Sequence, residues 1–440
     1  MLLCSRTLIT AGLFKLLCSR NYVLLIIVLV MPILCWWTSL AHGAGFALLQ
    51  QGTAAMAQGN AFVADASDPS AIFYNPAGLN QLKRAQVYVG SFLNYPTREF
   101  SGGGQNFHTD QNIYTSLTTY IAIPVHNRVA LGLGFFSPFG MGTAWPSTWA
   151  GRYLTTLSDM KTYTLNPVIS VKALDNLSIA VGADFLWSRV QLKRKTPVVF
   201  RGNTLPDAEI NLTGDGSGIG YNLGLLYEPL SGVKLGVSYR SKISVKHEGE
   251  IATVLPAPLP SAFPVFGSAN LTFPASLTTG LSYSRLAPFT FEFDTTWTGW
   301  SSYSKFKTNF DQPIAVNGVL NNTSTTPKNW HDAWAFRFGA NYEIREGMKI
   351  RAGYIYDLTP VPDSSFEPQV PDANRHIFTV GGDIKVLTRF TLGIAYNYIL
   401  SESRTKNNAI PVNGVPAPLQ ANGNYSSDVH SLGLSCTFQF

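Results

Sequence analysis

The strongest constraint in this chain is a period of two. Val233, Leu235, Val237 and Tyr239 alternate with Lys234, Gly236, Ser238 and Arg240. Leu177, Ile179, Val181, Ala183, Phe185 and Trp187 alternate with Ser178, Ala180, Gly182, Asp184 and Ser188, and the stretches 390–398 and 431–440 repeat the pattern. Alternation this long marks strands with one apolar and one polar face. In a water-facing sandwich the polar face would be rich in Lys, Glu and Arg. Here it is mostly Gly, Ser, Thr and Asn, which suits an enclosed lumen. Apolar outward and small-polar inward is the pattern of a transmembrane β-barrel. Composition agrees, because only 13% of the 440 residues are charged while 45% are apolar, against about 25% charged in a typical soluble domain. The net charge of +6 is scattered without a basic run, so no nucleic-acid partner is expected. Only 22–37 approaches the length of about 20 apolar residues that a membrane helix needs, which excludes a multi-span helical protein.

That one stretch reads as a targeting segment. Arg6, Lys15 and Arg20 precede it, no acid occurs before Asp65, and Ser39, Ala41, Gly43 and Ala44 follow. A basic start, an apolar run and small residues describe a secretory signal peptide over 1–43, cleaved after Ala41 or Gly43. The alternative is an uncleaved anchor helix, for which the basic region is long and Pro32 interrupts the apolar run. Removing the leader lowers the net charge to +3 and takes Cys4, Cys18 and Cys35, leaving Cys436 alone. One cysteine can close no internal disulfide and make no multi-cysteine metal site.

Spacing predicts closure. About fourteen strand-like segments run from 86 to 440, joined alternately by short turns (126–127, 174–176, 229–232, 287–288, 345–346, 387–388) and long connections (97–111, 137–160, 196–216, 251–269, 307–329, 359–374, 403–424). Short turns on one rim and long loops on the other are the bacterial outer-membrane arrangement, and each segment reaches the 9–11 residues or so that a spanning strand needs. Phe440 ends an alternating strand, the form of signal read by the outer-membrane insertion machinery. The prediction is all-β: a transmembrane antiparallel barrel over 86–440 in the outer membrane, in contact with its lipids. Residues 44–85 lack alternation yet carry Phe46, Leu48, Phe62, Ile72 and Phe73. They are predicted to plug the lumen, which at this strand number is wide enough to need filling.

On these residues the chain resembles a known family. Ala44-Gly45-Phe46-Ala47-Leu48, Gly59-Asn60-Ala61, Ala64-Asp65-Ala66 and Asn75-Pro76-Ala77-Gly78-Leu79 stand in order, followed by Pro138-Phe139-Gly140, Trp149-Ala150-Gly151-Arg152-Tyr153, 235–241, Arg351-Ala352-Gly353-Tyr354, 360–363 and Pro371-Asp372. The series resembles the FadL-type outer-membrane transporters of long-chain fatty acids and other hydrophobic molecules. The resemblance implies a fourteen-stranded barrel plugged by an N-terminal hatch. It further implies capture of substrate outside and sideways release through the wall. It also implies that Phe46 reaches into the ligand pocket and that Asn75 and Pro76 mark the hatch motif, where a fixed turn is a sufficient local explanation.

Candidate site residues come from the predicted loops. Phe139, Met141, Trp145, Trp149 and Tyr153 crowd 137–157, and the loop 251–269 adds Phe263 and Phe266. Apolar clusters on an exposed rim mark binding surfaces, the alternative being a loop that packs against itself. Burying each methylene of an acyl chain is worth about 0.8 kcal/mol, so partial burial supports micromolar affinity near about −8 kcal/mol. A fatty acid also needs its carboxylate met, and Arg152, Lys161, Arg240 and Lys246 are the candidates, each with a rim or lumen ion pair as its alternative. No Gly-x-Ser-x-Gly elbow, metal-ligand spacing or Gly-x-Gly-x-x-Gly is present, so neither enzyme chemistry nor a cofactor or metal is expected. The expected function is passive uptake of long-chain fatty acids or similar hydrophobic molecules. The alternatives are uptake of aromatic or other small hydrocarbons by the same fold, and a porin-like or structural barrel without a hydrophobic ligand.

Overall fold

The computed structural model describes residues 45–260, 262–316, 319–410 and 420–440; the predicted signal peptide lies outside them. The described chain forms fourteen antiparallel barrel strands. They begin with β1 (Gln86–Gly102), β2 (Tyr114–His126), β3 (Val129–Phe136, resumed at Gly140–Ala144), β4 (Leu157–Leu174) and β5 (Leu177–Phe200). Next come β6 (Asn203–Leu230), β7 (Val233–Arg240 and Ile243–Val254), β8 (Val265–Phe273 and Ser276–Leu286) and β9 (Phe289–Thr298 and Lys305–Val316). The last are β10 (Val319–Pro327 and Ala333–Arg345), β11 (Met348–Asp357), β12 (Arg375–Leu387), β13 (Phe390–Ser401) and β14 (Gly423–Gln439). Each pairs with the next, and β14 pairs back onto β1 from Gln86–Gln439 upward, so the sheet closes and leaves no open edge to the membrane.

The alternation has the predicted sense. On β5, Ile179, Val181 and Trp187 are exposed on the outer face, while Ala180, Asp184 and Ser188 are buried inside. In lipid the outer side chains are solvated by acyl chains, and paired strands satisfy their backbone groups through the ladder. Two-residue turns join β2 to β3, β4 to β5, β6 to β7, β8 to β9, β10 to β11 and β12 to β13, all on one rim.

Several predicted loops are in fact strand. β5 and β6 run through 196–216 to a tight turn at Arg201-Gly202, both with positive φ, the backbone that a two-residue hairpin demands. Parts of 97–111, 137–160, 251–269 and 307–329 likewise continue barrel ladders. Beyond the membrane both faces of a hairpin meet water, so the apolar alternation fades while the ladder persists.

Residues 45–85 fill the lumen with two short helices, α1 (Thr53–Ala57) and α2 (Ala71–Tyr74), and a 3-10 turn over Pro76–Gln81. The amides of Phe62 and Val63 donate to Asp294 Oδ2 at 2.9 and 3.0 Å, and those of Ala64 and Asp65 donate to the Glu292 carboxylate at 2.7 and 2.9 Å. Asn75 Nδ2 donates to the carbonyls of Val63 and of Leu225 on β6, while its Oδ1 accepts from Ala77 N with Pro76 at the first position of the turn. The peptide of Val63 is therefore held on both sides. It lies so close to β7 that a Cβ on Gly236 would stand 2.1 Å from the Val63 oxygen, an approach only glycine allows.

Candidate functional site

Four strands put the candidate site at one height. β3 breaks between Phe136 and Gly140, β7 after Arg240, β8 after Phe273 and β9 after Thr298. Pairing of β2 with β3 ends at Thr119–Phe135, and above that point Gly140–Ala144 takes ladder partners from β4. The N-terminal segment enters this break. Leu48 N donates to Pro138 O at 2.9 Å and Gly140 N to Phe46 O at 2.8 Å, making Ala47 and Phe139 a bridge pair.

The entry delivers Phe46 into a ring of aromatics. Its ring lies 4.6 Å from Trp300, 5.6 Å from both Tyr303 and Trp330, 6.1 Å from Phe273 and 6.2 Å from Phe139, mostly edge to face. That is the arrangement the ring quadrupoles prefer. Gly45 makes it possible: its φ is +61°, and a Cβ there would stand 2.6 Å from the Trp330 ring.

On the loop side of Phe46 lies an apolar pocket. Met141, Met160, Val190, Leu192 and Leu271 form its apolar walls, with Tyr303, His247, Glu367 and Gln369 as polar members. On the turn side lies a chamber. Strand β8 orders the three levels: Ala269 and Leu271 line the pocket, Phe273 touches Phe46, and Pro274, Ser276 and Thr278 line the chamber. Phe46 packs between these levels, against Phe273 and Tyr303, and is itself a lining residue of neither cavity.

The family model of outer membrane protein transport proteins (OMPP1/FadL/TodX) matches residues 34–440. The chain belongs to this family. It is similar to the long-chain fatty acid transport protein of Salmonella typhi, 22% identical over 400 residues that cover 82% of this chain and 89% of the relative. Among solved structures it is similar to a FadL homologue of Pseudomonas aeruginosa, with a TM-score of 0.78, 20% identity, and 90% of this chain and 100% of that one covered. It is also similar to the toluene transporter TbuX of Ralstonia pickettii, with a TM-score of 0.65, 18% identity and coverage of 90% and 99%. The protein is a FadL/TodX-family β-barrel of the outer membrane.

In this family member the residues singled out from the sequence separate into two groups. Phe46, Phe139 and Met141 meet at the ring of aromatics and the pocket wall. Trp145 and Trp149 stack on each other at 4.3 Å, and their indole N–H groups donate to Pro368 O and Thr155 O. They are buried between their loop, the connection that carries Pro368, and Phe100 and Tyr425 of β1 and β14. Phe263 is 94% exposed and Phe266 57%, so neither reaches the pocket. Arg152 donates to Asp207 at 2.8 Å and to the Tyr153 hydroxyl, which itself donates to Asp207. Lys161 stands 3.5 Å from Asp159, and Lys246 pairs with Glu248 on the surface. Of the four cationic candidates Arg240 alone lines a cavity, the chamber, where it pairs with Asp184.

Two cations escaped the sequence reading. Lys328 is buried beside the pocket, against Glu367, 3.4 Å from Gln369 and 6.0 Å from the Tyr303 ring centre. Burial pushes its ammonium down, to about 7, while the contact with Glu367 opposes that shift. Nothing in the local sequence singles it out. Arg337 lines the chamber from β10, and it did carry a signal: an ionisable residue at an inward position of a spanning strand, between Ala335 and Gly339.

Proposed function

We propose that this protein is a passive outer-membrane channel for long-chain fatty acids. One observation carries the reading: an apolar pocket whose wall residue Tyr303 packs on Phe46, with the buried cation Lys328 beside it. The acyl chain lies against Met141, Met160, Val190 and Leu271, and its carboxylate reaches Lys328, displacing Glu367. The ligand then passes Phe46. For that the segment 46–48 must leave the β3 break, which opens the wall where β2 and β3 are unpaired and lets the acyl chain move sideways into the membrane. No covalent step is needed. Membrane lipids surround the outer face, and the strand ending at Phe440 is what the insertion machinery recognises.

One observation favours a second reading. Glu367 already neutralises Lys328, so an uncharged aromatic hydrocarbon could fill the same pocket without disturbing the pair. Binding of labelled oleate and labelled toluene to purified protein separates the two. The fatty-acid reading expects saturable oleate binding that Lys328→Met weakens about tenfold. No saturable oleate binding removes it, and toluene binding indifferent to Lys328→Met supports the second.

A further inference from the structure

The chamber on the turn side of Phe46 contains a buried guanidinium that is short of hydrogen bonds. Arg337 is 8% exposed, yet its guanidinium makes a single long hydrogen bond, Nη1 to Asn60 O at 3.4 Å, and Nε has no partner. Asp294, its register neighbour on β9, offsets its charge in part but does not bond it: Asp294 Oδ2 is engaged by the amides of Phe62 and Val63, and Oδ1, like Arg337 Nε, has no hydrogen-bond partner. The other chamber cation is satisfied: Arg240 pairs with Asp184, donates to Phe73 O and stacks on the Phe73 and Phe136 rings. Buried guanidiniums are ordinarily paired, because a charge removed from water without a partner is strongly disfavoured. The lining is of mixed character: it includes apolar Leu48, Leu49 and Phe139 and the hydroxyl residues Ser238, Thr278 and Thr296 beside Arg240 and Arg337.

We propose that this chamber is a second ligand site, in which Arg337 takes the carboxylate of a long-chain fatty acid while the alkyl chain runs along Leu48 and Phe139 towards Phe46. The site rests on the fatty-acid reading of the channel. It would make passage two-stage, the carboxylate moving from Lys328 in the pocket to Arg337 in the chamber as Phe46 swings aside. A bidentate guanidinium contact suits this task, because it holds a carboxylate in a fixed orientation.

The test is photolabelling of the full protein with a fatty acid carrying a diazirine next to its carboxyl group, followed by peptide mapping. Two sets of labelled peptides are expected, one around Lys328 and Glu367–Gln369 and one around Ser276–Thr278 and Thr296–Thr298. In Arg337→Met the chamber label should fall about tenfold relative to the pocket label in the same molecules. Arg337→Lys should retain most of it. Because each variant is read as a ratio within folded molecules, partial misfolding does not mimic the result. Pocket label without chamber label, or chamber label unchanged in Arg337→Met, overturns the second site while leaving the channel reading intact. Absence of label from both places overturns both.

Discussion

Phe46 meets Trp300 edge-on, with ring centroids 4.6 Å apart and ring planes at 80°. The contact joins the N-terminal segment to the turn after the first half of β9, and on the proposed route it closes the way from the apolar pocket to the chamber. A seal of this kind is firm at rest because five rings surround one side chain. It can also be released as a unit, because Phe46 is attached through a short segment that makes only two backbone hydrogen bonds to the β3 break.

Phe46→Ala should remove the seal and leave a void among the rings. Large-to-small changes at buried aromatics cost about 3–5 kcal/mol, and part of this will appear as a lowered urea midpoint. Oleate binding should weaken about tenfold. Equilibrium binding measured beside the unfolding curve checks both.

Gly45→Ala acts on the same contact from outside it. A left-handed backbone costs a non-glycine residue about 1–2 kcal/mol, and the added methyl would meet the Trp330 and Trp300 rings at 2.6 and 2.9 Å. The variant should fold yet bind oleate more weakly than wild type, with Phe46 displaced. Changed tryptophan fluorescence in the unliganded protein would report the displacement.

Lys328 makes binding depend on pH. Its folded pKa is depressed to about 7, so above that value the free protein holds it neutral, and an arriving carboxylate must bring a proton with it. Oleate affinity should therefore fall from about pH 7 to about 9, by at most about tenfold per unit. Stability should change in the opposite sense. The unfolded lysine binds more protons over this window, so stability rises as the pH passes through 7. Lys328→Met should flatten both profiles.

Arg152→Ala should leave oleate affinity within about twofold of wild type. Its guanidinium is held by Asp207 and Tyr153 away from the pocket, and partly exposed pairs of this kind contribute about 0–1 kcal/mol. A large loss of binding would show that the loop of Arg152 rearranges to meet the ligand.

Glu292→Gln combined with Asp294→Asn should loosen the plug. Four consecutive amides, from Phe62 to Asp65, rest on these two carboxylates, and hydrogen bonds to charged groups are worth about 1.5–3 kcal/mol each. Planar-bilayer recordings should show conductance steps that the wild-type channel lacks.

The barrel was legible because lipid imposes a rule at every second residue: Ile179 must face outward and Ala180 inward. Hairpins above the membrane escape that rule, so the strand through 196–216 read as a loop. The aromatic cluster 137–157 was legible as a cluster, but not its division. Local sequence does not distinguish Met141, which lines the pocket, from Trp145 and Trp149, which stack on each other. Arg152 stood out for its neighbours and proved to be paired. Lys328 and Glu367 meet only through the tertiary fold, 39 positions apart. Phe46 was placed by resemblance, and its partners Trp300 and Trp330 come from connections that carry no motif.

The central claim is that the segment bearing Phe46 must leave the β3 break for a ligand to pass, and a reversible crosslink tests it most directly. Ala47 and Phe139 face each other as a pair flanked by, rather than sharing, the two hydrogen bonds, where Cα atoms stand about 4.5 Å apart and a disulfide can form. In a Cys436→Ser background, Ala47→Cys with Phe139→Cys should form this lock. Uptake of labelled oleate by cells lacking another such channel should stop while the lock is oxidised and resume when it is reduced. Undiminished uptake through the fully oxidised protein would contradict the account.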